Sequence, residues 1–464
     1  MGFLLTAFDT LSLRSELLSN LPSLGYTAMT PVQAEALPGV VAGKDMIVQA
    51  KTGSGKTAAF ALGLLHNLEV ERLLVQSLVL CPTRELADQV AEEVRRLARG
   101  LPNVKVLTLC GGQPFAPQAQ SLVYGAHVVV GTPGRIEDHL RQQTLQLDQV
   151  RTLVLDEADR MLDMGFHESL DAILAQLPQT RQTLLFSATF AEKTVHLASG
   201  ALRDPQRVSV ETQHDAATIR QHFYRLSSEA QRLSALQDLL LHFAPQSSVV
   251  FCTTRKDTQQ VADALAQAGF SAQALHGDME QRERDQTLVQ FANQSIAILV
   301  ATDVAARGLD IASVEAVFNY QVSVDPEVHV HRVGRTGRAG ATGLACTLFT
   351  DAESFRLDAL AGDSVQPWVV EDLPRVDRAL QRPQPAPMQT LLIDGGKKDK
   401  LRPGDVLGAL TAGEQLQGSQ IGKIQVTARR TFVAVERRQA KRALQLLTEG
   451  KLKGRNFRAR LLKS

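Results

Sequence analysis

Residues 45–57 read DMIVQAKTGSGKT, a stretch that leaves the chain few architectures to choose from. DMIVQ is a short apolar run of strand character, and AAFALGLL beyond Thr57 is helix-forming. Between them Gly53 and Gly55 alternate with small residues, so consecutive backbone N–H groups can curl around an anion at a helix start. Lys56 is then placed to reach terminal phosphates, and the Thr57 hydroxyl to hold Mg²⁺. Strand, glycine-rich turn and helix in that order open a parallel α/β unit. The usual pattern begins with glycine; Ala50 holds that slot here and fits if its backbone keeps φ negative. The candidate nucleotide loop is therefore Ala50, Lys51, Thr52, Gly53, Ser54, Gly55, Lys56 and Thr57.

Downstream, short apolar runs alternate with helical patterns. SLVLCP, VKVLTL, AHVVVGTP, RTLVLDEAD and QTLLFSAT are predicted strands, with RELADQVAEEVRRLA an amphipathic helix among the connectors. Such alternation predicts a parallel sheet covered on both faces, with its chemistry at the C-terminal strand ends. Asp156 stands at such an end, where a carboxylate can hold Mg²⁺ and its neighbour Glu157 can orient water. An acidic cap on the following helix would account for the same residues. Gln33 offers the donor and acceptor that suit an adenine edge, although a surface glutamine would look the same.

The polar stretch around 205–219 reads as an interdomain linker. Alternation resumes in SVVFCT, a helix over 256–268, SAQALH, a helix around 280–291, AILVATD, AVFNY and GLACTLF. This second α/β domain has no phosphate loop, so it is suited to close over the nucleotide of the first. In HRVGRTGR, Arg332, Arg335 and Arg338 surround two glycines, and such permanently charged planar groups suit a transferring phosphoryl group.

A length of 464 residues has room for about three domains. Prolines at 374, 383, 385 and 387 mark a stiff, extended tether before the last part. Residues 389–464 then carry 17 Lys and Arg against 6 Asp and Glu, a net charge of +11, while the preceding 388 carry −10. A tail that basic on an acidic body points to a polyanion. Its predicted order is β-α-β-β-α-β, the layout of an RNA-recognition module and equally of other ferredoxin-like domains. The slots where such modules carry stacking aromatics hold Leu392 and Arg430, with only Phe432 left, so base stacking should be weak. The charge sits instead in GGKKDKLRP (395–403), Arg429, Arg430, RRQAKR (437–442) and KLKGRNFRAR, which predicts a grip on folded RNA by shape and phosphate. Four cysteines without a CxxC pair argue against a zinc site or disulfide frame and for a reducing cytoplasm. No apolar run has the length of a membrane span, and no basic region precedes an apolar core at the N-terminus, so neither membrane nor signal peptide is expected.

Together these residues resemble the DEAD-box RNA helicases. Asp156-Glu157-Ala158-Asp159 spells the family's name, and GYTAMTPVQ, AKTGSGKT, PTRELA, Gly111-Gly112, TPGR, SAT, ATDVAARGLD and HRVGRTGR are similar to family elements in family order. IDGGKK…RP…LGAL in the tail resembles the DbpA type of bacterial DEAD-box protein. The resemblance implies two tandem RecA-like parallel-sheet domains (1–208 and 217–366), a proline-rich linker (367–388) and an RRM-like α+β domain (389–464). By that resemblance Phe8, Gln33, the phosphate loop and Asp303 bind ATP, and Thr57 and Asp156 hold Mg²⁺. Lys56, Asp156, Glu157, Arg335 and Arg338 are catalytic, and Ser187 and Thr189 couple hydrolysis to unwinding. Thr83, Arg84, Gly112, Thr132, Gly134 and Arg135 line the RNA path on the first domain, and Gln281, Arg284 and Thr302 on the second. Lys397, Lys398, Arg429 and Arg430 are the candidate RNA contacts of the tail. The implied activity is ATP-dependent unwinding of short RNA duplexes by a cytoplasmic monomer, directed to 23S rRNA during assembly of the large ribosomal subunit. An ATP-gated RNA clamp or annealer is the alternative.

Overall fold

The computed structural model describes residues 7–50, 53–187, 189, 192–210, 219–306, 314–337, 342–361, 369–378 and 380–462. Of the expected site residues, Lys51, Thr52 and Arg338 lie outside the described residues. The chain falls into two compact units that meet in sequence at Gln213–His214.

The first unit is built on β1 (Met46–Gln49), β2 (Ser77–Leu80), β3 (Val106–Leu109), β4 (Val128–Gly131), β5 (Thr152–Asp156), β6 (Gln182–Ser187) and β7 (Gln206–Ser209). They pair in parallel in the order β3-β4-β2-β5-β6-β1-β7. Central strands are almost wholly Val, Leu and Ile because helices cover both faces. Val48, Val79, Val130 and Val154 join one core, while their neighbours Ile47, Leu78, Val129 and Leu153 join the other.

Strand β7 corrects the reading of 205–219 as linker. Only Val208 of it is buried, so the stretch has no apolar period, yet its backbone completes the sheet edge beside β1. An edge strand draws its order from backbone hydrogen bonds that side-chain patterning does not report. Residues 211–218, the rest of that stretch, lie outside the described residues.

The second unit carries β8 (Ile219–Leu226), β9 (Ser248–Cys252), β10 (Ala272–Leu275), β11 (Ile298–Thr302), β12 (Ala316–Asn319), β13 (Gly343–Thr350) and β14 (Val370–Glu371). Their order, β10-β11-β9-β12-β13-β8-β14, repeats that of the first sheet position for position. Strand β8 was hidden in IRQHFYRL by its charged residues, which the short partner β14 leaves exposed.

The C-terminal part of this unit is an antiparallel sheet of β15 (Met388–Ile393), β16 (Ile421–Val426), β17 (Thr431–Glu436) and β18 (Ala459–Leu461), ordered β16-β17-β15-β18. Helices Pro403–Thr411 and Ala440–Glu449 cover one face through Val406, Leu410, Ala443 and Leu447. Leu392, Phe432 and Leu462 form the opposite face and pack with Val289 of helix Gln281–Ala292. The expected linker over 367–388 is not a free, extended tether: β14 within it joins the second sheet beside β8, and the Leu380 and Gln381 amides turn back to the Asp377 carbonyl. Arg378 bonds Asp238 Oδ1 at 2.8 Å and the Ser234 carbonyl at 2.9 Å. Further along, the Met388 amide donates to the Gln294 carbonyl, and Thr390 Oγ1 bonds Ser295 Oγ at 2.7 Å. Among the described residues no helix is long and apolar enough to cross a membrane.

Candidate functional site

The phosphate loop joins β1 to helix Lys56–His66. Gly53 and Gly55 have φ of 85° and 93°, the left-handed region where a side chain is strained. Lys56 opens the helix, is buried, and donates from Nζ to the Ala50 carbonyl at 2.7 Å. Gln33 is also buried rather than on the surface, at 1% exposure. Its Oε1 accepts from the Thr30 amide while its own amide N–H reaches Thr30 Oγ1, a reciprocal helix cap. Its Nε2 donates to the Gly55 carbonyl at 3.1 Å, and Thr30 Oγ1 donates to the Ser54 carbonyl at 2.8 Å. Gln33 thus braces the loop from behind. The T-x-x-Q spacing of a capping box was the signal for this role, and sequence reasoning missed it. Phe8 lies in the core with its ring edge-on to Tyr26.

Asp156 ends β5 with its carboxylate buried at 3% exposure, and among the described residues Oδ1 has no hydrogen-bond partner. Burial pushes its pKa up to about 7, opposed by the Lys56 ammonium. Glu157 follows with φ of 53° at the start of helix Ala158–Asp163. A non-glycine residue there costs about 1 kcal/mol, a strain that clusters at functional sites. Arg160, one turn on, holds the Glu157 carboxylate in a buried ion pair. Asp159 Oδ2 accepts from both the amide and the hydroxyl of Thr189, each at 3.0 Å, and Ser187 Oγ donates to the Thr189 carbonyl at 2.7 Å. The end of β6 is therefore tied to the acidic turn after β5. Asp159 and Arg160 carry these links, and sequence reading gave neither a role of its own.

Three neighbouring strands of the same sheet, β2, β4 and β3, end in the candidate RNA residues of this unit. Thr83 caps helix Arg84–Leu97 by accepting from the Leu86 amide. Arg84 lies so close over Gly112 that a Cβ there would sit 1.8 Å from Nη1. Arg135 donates from Nη1 to the Gln113 carbonyl at 3.0 Å. Thr132 precedes helix Pro133–Arg141, and Gly134 faces open space. Arg84, Gly112 and Arg135 thus meet on one edge.

In the second unit, Thr302 Oγ1 accepts from the Ala305 amide, Gln281 bonds Asp285, and Arg284 reaches the His276 carbonyl. The Asp303 carboxylate is forked by Arg332 at 2.6 and 2.7 Å. Arg332 is buried against Phe251 and also donates to the Gln321 carbonyl, so it holds this unit together internally. Arg335 follows it and is likewise buried.

In the tail, the Lys397 and Lys398 amides donate to the Thr427 and Ala428 carbonyls at 2.8 and 3.0 Å. Gly396 permits this approach, since a Cβ would lie 2.5 Å from the Thr427 carbonyl oxygen. Two basic stretches thirty residues apart become one patch of Lys397, Lys398, Arg429 and Arg430. Other parts of the expected basic surface are spent elsewhere. Arg437 donates to the Ala386 carbonyl at 2.6 Å, and burial lowers its pKa. Lys453 pairs with Asp405, and Arg460 with Asp394.

Two parallel sheets of one topology, a phosphate loop on the first and arginines between β12 and β13 of the second, define a nucleotide-binding protein built from a doubled RecA-like domain. Comparison narrows the class. Residues 30–197 match the DEAD/DEAH box helicase model, 231–340 the helicase conserved C-terminal domain, and 390–461 the DbpA RNA binding domain. The chain is 54% identical over 460 residues to the ATP-dependent RNA helicase DbpA of Escherichia coli, covering 99% of this chain and 100% of that one. It is 39% identical to the DEAD-box ATP-dependent RNA helicase CshA of Bacillus subtilis, over 83% of this chain and 78% of the relative. Among solved structures, S. cerevisiae Dbp5 bound to RNA and ADP BeF3 superposes with a TM-score of 0.71 at 31% identity, covering 79% of this chain and 96% of that one. The chain belongs to the DEAD/DEAH box helicase family.

Proposed function

We propose that this protein, an ATP-dependent RNA helicase, opens short RNA duplexes locally and is directed by its basic C-terminal domain to a hairpin of 23S rRNA during assembly of the large ribosomal subunit. It acts as a monomer in the cytoplasm. The observation that carries the reading is the tail patch, where two separate basic segments are held together on exposed loops while the sheet face is covered.

In this reading the domains run 1–208, 217–366 and 389–464. The phosphate loop and Gln33 hold ATP, Phe8 packs at its base, Asp303 supports the nucleotide pocket of the second domain, and Glu157 orients the attacking water. Arg335 and Arg338 complete the site only when RNA and ATP together favour closure of the two domains, an induced-fit coupling. Ser187, Thr189 and Asp159 transmit that closure from the acidic turn to β6. The donor set fits Mg²⁺: Asp156 carries a buried carboxylate oxygen that has no partner among the described residues and that feels the Lys56 charge at the helix start, where Thr57 is the next residue. Mg²⁺ prefers one or two protein oxygens, with water and phosphates filling its octahedron. When bound it supplies charge neutralisation at the phosphates.

The test compares RNA-stimulated phosphate release with fragments of ribosomal RNA, for the full chain and for Lys397→Ala/Lys398→Ala. Charge variants are preferable to truncation, because the tail docks on the second parallel-sheet domain. Stimulation by one hairpin at lower concentration than by other fragments is expected, with the double variant losing that preference. Its log–log salt slope should fall by about 0.7 per lost phosphate contact. Equal stimulation by every fragment would remove the targeting reading, and equal rates without RNA would remove the coupling.

A further inference from the structure

Phe115 is the first residue of helix Phe115–Val123, just beyond the glycine pair at 111–112, and none of the motifs includes it. Its ring is half-buried between two side chains of helix Pro133–Arg141. On one side the imidazole of His139 stacks at 4.2 Å between centroids and 20° between planes. The Arg135 guanidinium carbon stands 5.8 Å from the ring centroid. Arg135 also donates to the Gln113 carbonyl and has Asp138 at 3.7 Å. A planar cation held by one carbonyl and one ring face loses its rotational freedom but keeps an edge for a phosphate oxygen. Among the described residues, Nη2 has no hydrogen-bond partner.

His139 links this stack to the glycine loop. It is fully buried, and burial pushes its pKa down to about 4, so the ring is neutral. A neutral ring satisfies both neighbours if Nε2–H donates to Gln118 Oε1 at 3.3 Å and Thr144 Oγ1 donates to Nδ1 at 2.7 Å. Gln118 in turn donates to the Cys110 carbonyl at 3.0 Å, at the foot of Gly111-Gly112. The imidazole on which Phe115 stacks is thereby bonded, through one amide, to the loop beneath Arg84.

We infer that Phe115 is a positioning residue for RNA binding, holding Arg135 and the 111–113 loop at a fixed spacing through its stack with His139. The inference rests on the reading of Arg135 as an RNA contact. It makes RNA affinity depend on an aromatic ring that touches no nucleotide.

A double-mutant cycle in the full chain tests it. The probe is a fluorescein-labelled ten-nucleotide oligouridylate, bound in the presence of a non-hydrolysable ATP analogue. Arg135→Ala should raise Kd roughly 10-fold or more, the loss of one charge-assisted contact. Phe115→Leu keeps apolar volume but removes the π face, and should raise Kd several-fold. Combined with Arg135→Ala it should add almost nothing, because both changes remove one interaction. In RNA-stimulated ATPase assays the Phe115→Leu loss should fall on KM for RNA rather than on kcat, and Phe115→Tyr should restore binding. Additive effects, or unchanged binding by Phe115→Leu, would overturn the inference while leaving Arg135 its contact. Unchanged binding by Arg135→Ala would overturn the underlying reading, and the inference with it.

Discussion

The two parallel-sheet domains share one strand order, and each places a cation at the first residue of the helix after its first strand: Lys56 in one, Arg232 in the other. Arg232 is buried at 1% exposure and internally neutralised. Glu353 meets its Nη2 at 2.6 Å, Glu229 its Nε at 2.7 Å, and the Tyr320 and Leu348 carbonyls take the remaining donors. Among the described residues Lys56 has one carbonyl partner and acts electrostatically on Asp156, whose Oδ1 is unpartnered there. One topology thus sets a cation at the same place in both halves, and the halves differ in how far protein groups compensate its charge. Where protein groups saturate the cation, the position is structural; where they leave polar atoms unsatisfied, a phosphate and its metal can complete them.

The largest effect expected from this contrast is catalytic. Glu157→Gln should lower kcat for RNA-stimulated phosphate release by about 10²–10⁴-fold, the usual contribution of a positioned base; a smaller loss would put the water-orienting group elsewhere. Next comes stability. Arg232→Leu leaves Glu353 buried without its partner and should cost about 3–5 kcal/mol in urea unfolding of the second unit. Lys56→Ala should weaken nucleotide binding with little loss of stability, because Asp156 already titrates near neutrality and can take up a proton. Equal destabilisation by both would break the contrast.

A property the halves should share is acid lability, since His139 and His329 are both buried neutral with pKa values of about 4. For such a base the folded state excludes a proton that the unfolded chain binds. Its stabilisation is therefore complete above about 6.5 and is lost as pH falls towards 4. At His329 this amounts to up to about 3 kcal/mol, and His329→Phe should flatten that part of the unfolding profile. The smallest effect is Gly112→Ala. At φ of 68° it strains the loop by about 1–2 kcal/mol and pushes Arg84 aside, so oligouridylate Kd should rise several-fold.

Much of the fold was legible because parallel strands buried on both faces read as unbroken apolar runs. The exceptions, β7, β8 and β14, are strands at or near an edge, held by backbone bonds and carrying polar or exposed side chains. The nucleotide loop was legible because glycine at 53 and 55 is a backbone requirement written in the residue itself. Gln33, Asp159 and Arg160 were not, since their roles depend on which groups they meet after folding.

The chain's residues alone determined two α/β repeats, a glycine-turn phosphate site and a basic tail, because periodicity, backbone requirement and charge are local properties; the resemblance to a helicase family rested on short motifs in family order. Tertiary structure decided the rest: that Gln33 braces the loop, that Arg232 is neutralised while Asp156 is not, that the tail's sheet is covered, and that Lys397 and Arg429 share a surface. Each of these depends on distances between residues far apart in the chain, and those distances exist only once the sheets and loops have packed.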